Sequence, residues 1–166
     1  MKFRRRLAAM LLAGAATAAT IGVASAPAQA SAFLEMKVWN SSHCLDNATE
    51  DDLKLQMWHC TGVSEQRWSV SFNSQTSAFA LTNQNTGWCI TAPGGEGTIF
   101  MNPCNPGLTT QQWTALASGS ESPGGSYLVW RNKFSGLCLT TPSVADRTRP
   151  RAAICDPSDP YDRWHQ

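Results

Sequence analysis

The sequence predicts an all-β fold built from three copies of one unit, and three observations carry that prediction. Short apolar runs such as KLQMW, FALT, TIFM and YLVW alternate with clusters of Asn, Gly, Pro and Ser, and no stretch has the spacing of a useful amphipathic helix. Three phrases open on cysteine: Cys44-Leu45-Asp46, Cys89-Ile90-Thr91 and Cys138-Leu139-Thr140, each preceded by an apolar patch and an asparagine. Each is followed by a second cysteine, Cys60, Cys104 or Cys155, and then by a tryptophan in a matching triplet: Gln66-Arg67-Trp68, Gln111-Gln112-Trp113 and Asp162-Arg163-Trp164. Trp68 and Trp113 are 45 residues apart and Trp113 and Trp164 are 51 apart, which is the period of a repeat architecture.

Along the chain, residues 1–30 come first and read as an export signal. Lys2, Arg4, Arg5 and Arg6 precede an Ala-rich apolar run from Leu7, and small residues suited to cleavage follow. Cleavage is expected after Ala28-Gln29-Ala30, with Ala24-Ser25-Ala26 as the second choice. An uncleaved anchor is the weaker alternative, because the run is only weakly apolar and breaks into Pro and polar residues. With residues 1–30 removed, no membrane association is expected and the product is secreted. The net charge of +1 over 166 residues then separates into four basic groups in the signal and, beyond it, nine basic against twelve acidic groups, or −3. That sign excludes a nucleic-acid binder, whose affinity rests on concentrated positive charge. Length allows one domain, residues 31–166, and the composition is neither disordered nor collagen-like.

The first repeat runs over about 35–72, the second over 78–117 and the third over 126–166, joined by SFNSQTS (71–77) and SGSESPGGS (118–126). Both joints have turn chemistry and are too short to be domain boundaries. In an exported chain an even cysteine count implies disulfides. Repeated units should repeat their cross-links, so the expected pairs are Cys44 with Cys60, Cys89 with Cys104 and Cys138 with Cys155. Each such loop contributes about 3 kcal/mol by chain entropy, which supports units too small to bury a core alone.

The cysteine phrases, second cysteines and Gln-x-Trp triplets together resemble the ricin-B-type lectins, the family of QxW carbohydrate-binding modules, over nearly all of residues 35–166. The resemblance implies a twelve-stranded β-trefoil with pseudo-threefold symmetry, with Trp68, Trp113 and Trp164 in its core and up to three shallow sugar sites. Such a site uses an acid two residues after the first cysteine, an aromatic two before the second, and polar groups ahead of the last tryptophan. A carboxylate accepts hydrogen bonds from two neighbouring hydroxyls, a flat ring covers the C–H face of a sugar, and amides fix hydroxyl orientation.

By that resemblance the first repeat carries the site. Asp46 would contact the sugar, Trp58 would stack on it, Gln66 would orient Asp46, and Gln56 would support from the strand. Glu65 stands where binding units usually have Asn, so an acid replaces an amide donor close to Asp46. Thr91 and Thr140 replace the acid in the other repeats, Asn102 and Ala153 replace the aromatic, and Phe100 and Arg151 stand in for Gln56. Asp162 replaces the triplet glutamine, so both later sites are expected to be silent. Trp39, Trp88 and Trp130 read as packing residues, Glu50-Asp51-Asp52 as a solvated loop, and Arg147, Arg149 and Arg151 as a solvated edge.

No pattern asks for a cofactor or a metal. His43 and His59 adjoin cysteines assigned to a disulfide, and three adjacent acids lack the alternation of a calcium loop. Nothing marks two carboxylates across a cleft, so no enzyme is expected. The expected function is a secreted, non-catalytic lectin-like module for a galactose- or xylose-containing glycan or polysaccharide. The alternative is a protein-binding trefoil scaffold, such as an inhibitor or interaction module. What separates them is whether the surface at Asp46 forms a sugar-sized shelf or is closed by Glu65 and Arg67.

Overall fold

The computed structural model describes residues 32–38, 41–49, 54–122 and 125–166. The export segment, Trp39 and the Glu50-Asp51-Asp52 run lie outside them. Among the described residues there are thirteen strands and three short 3-10 turns. The first repeat contributes β1 (Leu34–Glu35), β2 (Lys37–Val38), β3 (His43–Ala48), β4 (Lys54–His59) and β5 (Arg67–Asn73). The second contributes β6 (Ala78–Asn83), β7 (Trp88–Thr91), β8 (Phe100–Pro103) and β9 (Trp113–Glu121), and the third β10 (Gly125–Asn132), β11 (Cys138–Thr140), β12 (Arg151–Ala153) and β13 (Arg163–His165).

Each repeat's first and last strands enter a ring in the order β1, β5, β6, β9, β10, β13, β2, with every neighbour antiparallel. Because β1 and β2 are two halves of one strand, the ring closes on itself and leaves no open edge. The middle strands form three hairpins, β3 with β4, β7 with β8 and β11 with β12, that complete the β-trefoil. Thirteen strands rather than twelve result from Met36. There the opening strand passes from its partner β5 to its partner β13, and the Met36 carbonyl accepts the Leu45 N–H at 2.8 Å.

The threefold repeat extends to single hydrogen bonds. Trp68, Trp113 and Trp164 are buried, and their indole N–H groups donate to the carbonyls of Leu45, Ile90 and Leu139 at 2.9, 3.1 and 2.7 Å. Each acceptor is the residue after the repeat's first cysteine, so the cysteine phrase and the tryptophan triplet meet at the core. A buried indole needs such a partner. The three disulfides join the pairs expected from the repeat. Asn83 and Asn132 donate back to the carbonyls of Glu65 and Thr110 in the preceding repeat, at 2.8 and 2.9 Å, which ties one unit to the next. Trp130 is buried with the core and meets Phe79 edge-on, while Trp88 packs against the core from a partly buried position.

Candidate functional site

In the first hairpin Cys44 lies opposite Trp58, Leu45 opposite Met57, and Asp46 opposite Gln56. Side chains alternate between faces of a strand, so Leu45 and Met57 enter the core while the Asp46–Gln56 and Cys44–Trp58 pairs share the other face. Gln56 Nε2 donates to Asp46 Oδ1 at 3.1 Å, holding the carboxylate at a position only 6% exposed. Trp58 is half-buried, one pair further along. These residues line a cleft of about 650 Å³ together with Ala48, Thr49, Lys54, Thr61, Val63, Glu65 and Arg147. Arg67 is exposed on β5 and lines a different depression, beside Phe33 and Leu34, so it does not close the cleft at Asp46, which Glu65 lines.

Glu65 comes from a 3-10 turn at Ser64–Gln66 and accepts a hydrogen bond from the Ser64 hydroxyl. Gln66 is fully buried. Its Oε1 accepts the Thr61 N–H at 2.7 Å and its Nε2 donates to the His59 carbonyl at 2.9 Å, pinning the turn after β4. Gln111 does the same in the second repeat, with Asn105 N–H and the Pro103 carbonyl, and also donates to the Thr91 hydroxyl at 3.1 Å. Asp162 in the third repeat accepts the Asp156 N–H at 2.8 Å. Burial pushes the Asp162 carboxyl above its ordinary range, against the opposing hydrogen bonds of Thr140 and Asp156.

The other hairpins repeat the register but not the chemistry. Cys89 faces Asn102 and Thr91 faces Phe100, while Cys138 faces Ala153 and Thr140 faces Arg151. Where the first repeat has a carboxylate, an amide and an indole, neither of the others has a carboxylate or a ring at the indole position.

One residue of the cleft comes from another repeat. Arg147 belongs to the β11–β12 connection, and its guanidinium lies over the Trp58 ring, 5.8 Å from the centroid. Sequence alone placed it on a solvated edge with Arg149 and Arg151. All three are exposed, but Arg147 also lines the cleft, 89 positions from the ring it covers. Main-chain bonds fix the connection: Arg147 N–H donates to the Met57 carbonyl at 2.9 Å, and Met57 N–H to the Thr148 carbonyl at 2.7 Å. Asp146 accepts the His59 N–H at 2.8 Å, and its two oxygens lie 3.3 Å from the rings of His43 and His59. Partial burial would raise the Asp146 carboxyl, but the His59 N–H and the two imidazoles hold it below the ordinary range.

Glu35, Cys44 and Cys60 also gather, but both sulfurs are spent in the disulfide and offer no thiolate to a metal.

The family model for the ricin-type beta-trefoil lectin domain matches residues 30–113. No curated protein matches the chain significantly in sequence. Among solved structures, the designed three-fold symmetric protein ThreeFoil is similar with a TM-score of 0.65 at 16% identity, over 80% of this chain and 95% of its own. The hemolytic lectin CEL-III gives 0.63 at 17% identity, over 80% of this chain and 31% of that one. The C-half of the earthworm R-type lectin, solved in complex with GalNAc, gives 0.58 at 13% identity, over 80% and 95%. At these identities the likeness is one of fold.

Proposed function

The chain belongs to the ricin-type β-trefoil lectin domain family, and from that premise we propose that it is an exported, non-catalytic module binding a glycan through its first-repeat cleft. The observation that carries this reading is the grouping of Asp46, Gln56 and Trp58 in one cleft of three structurally equivalent hairpins. Asp46 accepts hydrogen bonds from two adjacent hydroxyls, and the Gln56 amide keeps it oriented. Trp58 offers an apolar ring to the C–H face of the sugar. Gln66 acts one layer down, by fixing the turn that carries Glu65. Galactose- or xylose-containing glycans are the proposed ligands, and the earthworm lectin's GalNAc complex supports a sugar of this size on this fold.

One ring and a few hydrogen bonds that compete with water give a single sugar an affinity on the order of mM. Extended glycans or clustered copies of the chain would raise it. The test is titration with galactose, xylose and their oligomers, followed by tryptophan fluorescence and calorimetry. The expected result is one site per chain, lost in Trp58→Ala and in Asp46→Asn. Binding that survives both substitutions would place the site elsewhere, and silence toward every sugar would favour the protein-binding scaffold.

A further inference from the structure

The second and third repeats reach across to their neighbours in the same way. In the second, the connection between β7 and β8 sends the Gly97 N–H to the carbonyl of Ala152, the central residue of β12, at 2.8 Å. In the third, the connection between β11 and β12 sends the Arg147 N–H to the carbonyl of Met57, which the register makes the counterpart of Ala152. Gly97 and Arg147 are thus structural twins, and both have left-handed backbone, with φ of +103° and +64°. Glycine takes that conformation freely; a residue with a Cβ does so only at a cost. The third repeat nevertheless has an arginine there, and it projects into the cleft of the first.

Among the described residues no ion pair includes Arg147, whose guanidinium lies over the face of Trp58. Asp46, the deepest acid of the cleft, is held by Gln56. A sugar that takes the Trp58 face in place of the guanidinium would bring a ring substituent within reach of its five N–H donors, a fork that suits planar or tetrahedral oxyanions.

We infer that Arg147 makes the first-repeat cleft selective for an acidic glycan, with a carboxylate or sulfate on the sugar that stacks against Trp58. The inference rests on the reading of that cleft as the sugar site. It assigns ligand recognition to two repeats: Asp46 and Trp58 hold the sugar body, and a residue 89 positions from Trp58 reads its charge. His43, His59 and Asp146 position the arginine by anchoring the residue before it to the β3–β4 hairpin.

The test compares matched ligands: a neutral xylo-oligosaccharide with its glucuronic-acid-substituted counterpart, and a neutral galacto-oligosaccharide with its sulfated counterpart. In the unaltered protein at least one acidic ligand should bind about tenfold more tightly than its neutral partner, with the ratio falling as salt is raised. Which pair shows the preference separates carboxylate from sulfate. Arg147→Gln should bring that ratio to near one, and Arg149→Gln should leave it unchanged. Arg147→Gly, which installs the residue of the second repeat, should also lose the preference while the melting temperature holds or rises. A ratio near one in both pairs, or one that persists in Arg147→Gln, overturns the inference. If neutral sugars then still bind and Trp58→Ala removes them, the cleft assignment stands alone. If no sugar binds, both fall.

Discussion

At the scale of single residues, the three triplet positions show how one structural task is met by different chemistry. Gln66 and Gln111 each accept one main-chain N–H and donate to one main-chain carbonyl, and both are uncharged and buried. Asp162 does the accepting half with a carboxylate that is 2% exposed, and burial raises its pKa. A carboxyl whose folded pKa is raised favours the folded state when protonated. Its penalty is therefore full at neutral pH and is relieved as the pH falls through the folded value toward 3.8. Asp162→Gln should restore the second repeat's arrangement, with its amide donating to Thr140 as Gln111 does to Thr91. The expected gain at pH 7 is about 1 kcal/mol, or roughly 3 to 5 °C in melting temperature. The advantage over the parent should shrink as the pH is lowered toward 3.8. Thermal melts of both proteins across that range check it; an equal melting temperature at pH 7 would show that the buried carboxylate costs nothing.

At the scale of elements, the connection over residues 141–149 is the one that joins repeat three to the cleft. Its hold on the β3–β4 hairpin has two parts, the paired main-chain bonds at Met57 and the Asp146 contacts to His43 and His59. Asp146→Ala removes the second part, so hydrogen exchange at the Met57 and Arg147 amides should quicken by about tenfold or more, with the Trp68 region unaffected. The sign of its pH dependence follows from a lowered carboxyl: the contact is complete above pH 3.8 and is lost only as the pH falls through the lower folded value. Unchanged exchange in Asp146→Ala would mean that the main-chain bonds suffice. This element also marks where reading the sequence stops. Asp46, Gln56 and Trp58 were legible through the family resemblance, which places them at set offsets from the cysteines, and the same resemblance put the indole of each triplet in the core. Arg147 was not legible, since its approach to Trp58 depends on how the third repeat folds against the first, and no local spacing encodes that. The break in the opening strand at Met36 was hidden for the same reason, because closing the ring is a property of all three repeats together.

At the scale of the whole molecule, the closed ring has three equal supports. Each disulfide spans 15 to 17 residues inside one repeat, so none links one repeat to another. Each restricts the unfolded chain by about 3 kcal/mol in the loop-entropy description. A domain of this size is stable by only about 5 to 15 kcal/mol. One bridge is therefore dispensable, but the loss of all three is comparable with the entire stability. The double variant Cys89→Ser with Cys104→Ser, which touches the repeat farthest in chemistry from the cleft, should fold and melt cooperatively at a lower temperature. The unaltered protein treated with reductant should lose its cooperative transition at physiological temperature. Calorimetry with and without reductant, together with circular dichroism, distinguishes the cases: a reduced chain that still melts cooperatively near the oxidised temperature would show that the shared core of Trp68, Trp113, Trp130 and Trp164 holds the trefoil alone. If the reduced chain fails as expected, the fold requires an oxidising compartment, which ties the three cysteine pairs to the export that residues 1–30 are read to direct.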